Sequence, residues 1–80
     1  MRIFMQTQPV EGLPVRFFQL HLQQDLLGGW TLVRESGIQG LRGQVKREYF
    51  EQREDAELAM GMQREKQTKK GYRIVFREGS

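Results

Sequence analysis

The single histidine, His21, and the absence of cysteine limit the chemistry this chain can hold. A paired-histidine metal site or an HExxH site needs a second imidazole, and thiolate sites and disulfides need sulfhydryls. The carboxylates Glu51, Glu54, Asp55 and Glu57 crowd together. They fall where a helix would begin, and acidic residues there complement the helix dipole without any acid–base role. No catalytic residue, metal or cofactor is therefore expected.

Glycine and arginine spacing is more informative. Gly37-Ile38-Gln39-Gly40-Leu41-Arg42-Gly43 places its glycines three residues apart. No Gly-Lys-Ser/Thr follows, so a nucleotide P-loop is excluded. A Gly-Xaa-Xaa-Gly nucleotide clamp would join two helices, whereas this segment reads as a link between strands. A glycine-rich turn can still present backbone N–H groups to an anion, though turn geometry alone also accounts for the glycines. Arg34, Arg42, Lys46 and Arg47 lie on or around this loop. Strand alternation sends Lys46 and Arg47 to opposite faces, so convergence would have to occur near the loop end of the sheet. Trp30 shares a strand face with Leu32, which favours core packing over stacking on a ligand.

The elements that would position these residues follow from periodicity. Arg16 to Gln23 alternates, with Phe18, Leu20 and Leu22 on one face and Gln19, His21 and Gln23 on the other. Asp25-Leu26-Leu27-Gly28-Gly29 reads as a hairpin connection with both glycines free to take positive φ. Trp30 to Ser36 and Gln44 to Phe50 read as the next two strands. Apolar spacing then changes to that of a helix over Arg53 to Lys70, with Ala56, Ala59 and Met60 on one face and Leu58 and Met62 flanking. Lys66, Lys69 and Lys70 suit its C-terminal end, and Gly71 its C′ position. Tyr72 to Phe76 closes the domain, with the hydroxyls of Tyr49 and Tyr72 expected at the core boundary.

The expected fold is α+β: a small antiparallel sheet of four to five strands with one helix packed on one face, in the order β-β-β-α-β. Residues 16–76 form the domain and residues 77–80 a tail. Residues 1–15 are an N-terminal extension, whose start either adds an edge strand or hangs free. Eighty residues bound this at one domain. A net charge of +3 leans towards polyanionic partners without requiring them. No apolar run could span a bilayer, and no secretory leader is evident at residues 1–9, so a cytoplasmic setting without membrane contact is expected.

Asp25 to Glu35, then Gly37, Gly40, Gly43-Gln44, Phe50, the helix and Lys69-Lys70-Gly71-Tyr72, resemble the WGR domain family of DNA-dependent poly(ADP-ribose) polymerases and small bacterial proteins. The resemblance implies a small antiparallel sheet with one packed helix. It also implies contact with DNA near a strand break. Ser36-Gly37-Ile38 stands where the family carries its Trp-Gly-Arg tripeptide. The stacking ring and the cation of that motif are thus absent, and only the glycine remains.

Two functions of different kinds follow. In the first, Arg34, Gly37, Arg42, Lys46 and Arg47 form a sequence-tolerant phosphate-binding surface for DNA ends or nicks, or for RNA. In the second, the fold serves a protein partner, with Ile38 and Leu41 as an apolar contact point. Self-association through an edge strand at residues 1–6 is a third route, against an expected monomer.

Overall fold

The computed structural model describes residues 1–79. Five strands and one helix follow in the order β1 (Arg2–Thr7), β2 (Arg16–Gln24), β3 (Trp30–Ile38), β4 (Gln44–Phe50), α1 (Arg53–Lys69) and β5 (Tyr72–Glu78). All pairings are antiparallel, in the spatial order β4-β3-β2-β1-β5. The α+β architecture expected from periodicity is the one observed.

The N-terminal segment corrects that expectation. β1 is neither a free tail nor an edge: it lies between β2 and β5, with Ile3 opposite Leu20 and Met5 opposite Phe18. Self-association through residues 1–6 therefore has no open edge to use. The edges are β4 and β5. β5 extends through Arg77 and Glu78, so the strand takes in two residues of the expected tail; Ser80 lies outside the described residues.

One sheet face carries the core. Ile3, Met5, Phe18, Leu20, Leu22 and Leu32 meet Ala56 and Met60 of α1, all eight buried. Tyr72 packs edge-on against Phe18 with ring centroids 6.2 Å apart. Trp30 joins this core from its margin, as its alternation implied, and the Arg53 guanidinium sits 5.1 Å from its ring centroid.

α1 links the two edge strands by crossing this face. Glu54 and Asp55 occupy its first turn and Lys66 and Lys69 its last, matching the dipole at both ends. Gly71 ends it with φ +99°, a conformation other residues rarely adopt. Gly61, within the helix, has nothing within 4 Å of where a Cβ would lie. Gly61→Ala is therefore expected to stabilise the domain by about 1 kcal/mol. Thermal unfolding followed by circular dichroism checks this, and an unchanged or lower midpoint would show that the glycine has a packing role.

The β2–β3 hairpin departs from the expected pair of left-handed glycines. Only Gly28 takes positive φ, at +92°. The Asp25 carboxylate accepts the N–H groups of Leu27 and Gly29 at 2.8 and 2.9 Å and shapes the turn. Gly29 is required for another reason: a Cβ there would collide with the Tyr49 ring. Tyr49 covers that backbone while remaining 57% exposed, rather than packing at the core boundary.

Candidate functional site

Strand register decides what gathers at each end of the sheet. Arg16 lies opposite Ile38, Ser36 opposite Gln44, and Thr7 opposite Tyr72. The β3–β4 loop, the β1–β2 connection and the α1–β5 turn therefore share one end. One backbone bond ties the first two together, Gln39 N–H donating to the Val15 carbonyl at 2.9 Å, while Arg16 N–H closes the β1–β2 connection by donating to the Thr7 hydroxyl at 3.0 Å. The Gln6 and Gln39 side chains also hydrogen-bond.

This end is basic. Arg16, Arg42, Lys69 and Lys70 are all exposed there, against the carboxylate of Glu11 in the β1–β2 connection. The opposite end holds Asp25, Glu51, Glu54, Asp55 and Glu57, and Arg53 pairs with Glu57 in a helical i, i+4 bridge. The expected acidic cluster is thus a helix opening. Four interstrand spacings make the sheet about 19 Å wide, so the basic end spans a breadth comparable to a nucleic-acid duplex.

On its β4 side, where β2, β3 and β4 meet, is an open depression of about 390 Å³, lined by Arg16, Ser36, Gly37, Ile38, Leu41, Arg42 and Gln44. Gly40 forms the loop's sharp bend with φ +89°. The N–H groups of Gln39 and Leu41 are committed to the Val15 and Ile38 carbonyls, so these two are not free to cradle an anion.

The five residues singled out from sequence separate in space. Arg42 and Gly37 line the depression. Arg34 and Lys46 lie opposite each other on the helix-bearing face, and Arg34 Nε is enclosed without a hydrogen-bond partner. Arg47 pairs with Val33 on the other face and points away from both. Gly37 is explained by packing: a Cβ there would lie 3.0 Å from the Gly43 Cα and 3.5 Å from the Phe17 ring. Sequence reasoning missed Arg16. Its role depends on the β2–β3 register, and no local signal marks it.

His21 lies half-buried on the helix-free face, its Nδ1 3.2 Å from the Gln23 amide nitrogen. Burial, then Arg2 and the N-terminal amino group, push its imidazole below the ordinary 6.5, while Glu78 pulls the other way. The unfolded chain therefore takes up this proton more readily than the folded one. The resulting destabilisation is absent well above pH 6.5 and grows as pH falls through 6.5 towards the folded value. Urea unfolding at pH 7.5 and 5.5 should show the loss, and His21→Gln should diminish it; equal losses in both proteins would exclude this residue.

Among the described residues no helix is long and apolar enough to cross a membrane, and no group of three or more His, Asp or Glu side chains is placed to hold a metal ion. The family model described as "WGR domain" matches residues 1–78, which takes in β1 as well as the segment that carries the resemblance. No curated protein and no solved structure matches the chain.

Proposed function

The chain belongs to the WGR domain family, which is associated with nucleic-acid binding, and on that footing we propose that it is a non-catalytic module that holds DNA ends or nicks through phosphate contacts. The observation that supports this most is the joining of Arg16 and Arg42 across one depression at the basic end of the sheet. Guanidinium groups suit phosphate oxygens because their planar donors can bind two oxygens at once. Lys69 and Lys70 extend the same end towards β5.

Ser36 and Ile38 remove the ring and cation that the family's tripeptide would supply at this loop. What remains is attraction to the backbone of the nucleic acid, which tolerates any sequence and weakens with salt. Micromolar or weaker affinity follows. Three or four phosphate contacts on duplex DNA would give a slope of log K against log salt of about −3.

Fluorescence anisotropy against nicked, blunt and single-stranded DNA, at about 50 and 200 mM salt, tests this reading. Salt-sensitive binding that favours a nick or end is expected. Absence of binding even at the lower salt would overturn it. The alternative would then be a protein partner, favoured by Leu41, which is 65% exposed beside Ile38 at the rim of the same depression.

A further inference from the structure

An antiparallel sheet covered on one face ordinarily turns polar residues to solvent on the other. Here the helix-free face carries Phe4, Phe17 and Phe76 on the three neighbouring strands β1, β2 and β5. Phe4 and Phe17 stack with centroids 6.1 Å apart and planes 16° from parallel. Phe4 lies directly opposite Phe76. Phe17 has a structural duty, because its ring lies against Gly37 and Gly43, and Phe4 leans on Phe17. Phe76 has no such duty at the sheet edge, yet it is 49% exposed.

The groups around these rings are suited to one kind of ligand. Register brings Gln6 beside Phe17, Arg73 beside Gln6 on its other side, and Gln19 beside Phe4. Arg2 lies one alternation further along β1, with its Nε enclosed and unpartnered. Arginines 2, 47 and 73 outnumber Glu35 and Glu78 on this face, and the ion pair among the described residues, Arg53–Glu57, involves none of them. Flat rings, guanidinium groups outside that ion pair and side-chain amides together match unpaired bases on a phosphate backbone. RNA-binding sheets stack bases on aromatic rings in the same manner.

The face is also continuous with the loop site. Phe17 touches Gly37 and Gly43, and Gln6 bonds to Gln39 of the same loop. We propose that the helix-free sheet face is a second contact surface, on which Phe17, Phe4 and Phe76 carry the unpaired nucleotides of a DNA strand leaving a duplex end. The path from the loop to this face rests on the reading of the loop as the duplex contact; the platform itself does not.

The test compares three probes: a blunt duplex, the same duplex with a thymidine overhang of about six nucleotides, and a free oligothymidine of similar length, with lengths set by the site size of small single-strand binders. Stacking of one base should tighten overhang binding about tenfold over the blunt duplex. Phe76→Ala, which removes the most exposed of the three rings, should reduce that advantage severalfold without altering blunt-duplex affinity, and Phe76→Tyr, which keeps the ring, should retain it. Thermal melts of each variant confirm that the fold is intact. Equal affinity for blunt and overhanging duplexes, or an advantage undiminished in Phe76→Ala, would overturn the platform. Phe76-dependent binding of the free strand without duplex binding would support the platform and overturn the loop reading instead.

Discussion

Reversing Arg16 and Arg42 together to glutamate is expected to weaken duplex binding about a hundredfold. Each arginine lines the depression at the basic end, and a hydrogen bond between a cation and a phosphate contributes about 1.5 kcal/mol at the lower limit. Two such losses come to about 3 kcal/mol, roughly a factor of 10². The salt slope should fall from about −3 to about −1, because two counterion-releasing contacts disappear. Both side chains are exposed, so folding should be little affected, and a thermal melt checks that. Arg47→Glu is the informative comparison. It lies on the other face of β4, away from the depression, and should change blunt-duplex affinity far less. Equal losses from both variants would point to non-specific attraction to a basic protein, and the proposed site would be wrong.

Gly43→Ala is expected to destabilise the domain by about 2–3 kcal/mol, near the upper end of overpacking costs. A Cβ at that position would lie 2.8 Å from the Phe17 ring, 3.0 Å from Glu35 Cγ and 3.0 Å from the Ser36 carbonyl oxygen. The glutamate chain can move aside. The carbonyl belongs to β3 and cannot do so without disturbing its ladder with β4, and Phe17 is held by its stack on Phe4. For a domain of this size the midpoint of thermal unfolding should drop by roughly 8–24 °C. A shift below about 3 °C would show that the loop relaxes freely. Gly37→Ala should be milder, because its tightest neighbour is the single Gly43 Cα at 3.0 Å. The two positions touch, so the double variant should not equal the sum of the single ones.

These two variants separate the roles of the loop. Arg16 and Arg42 concern what the loop meets, whereas Gly37 and Gly43 concern how the chain passes through it. The persistence of glycine at position 37, between Ser36 and Ile38, follows from the close approach of Gly43 and Phe17 and requires no ligand.

Much of this was legible along the chain. The alternation of Phe18, Leu20 and Leu22, the change to helical spacing after Phe50, and the closing Tyr72 to Phe76 segment are local patterns. Each places apolar side chains on one face of one element, so the α+β class and the buried face could be read without knowing any partner. The glycines and basic residues of the β3–β4 loop were visible for the same reason. Only tertiary structure decided which strands are neighbours. β1 pairs with β5, the far end of the chain, and contacts so remote in sequence leave no periodic mark on either segment. The site was divided in the same way. Arg42 and Arg16 line one depression, Arg16 through register alone, while Arg47 was parted from Arg34 and Lys46 by the two faces of the sheet. A one-residue step along a strand reverses the direction of its side chains, so proximity in sequence could not tell which of these cations share a surface.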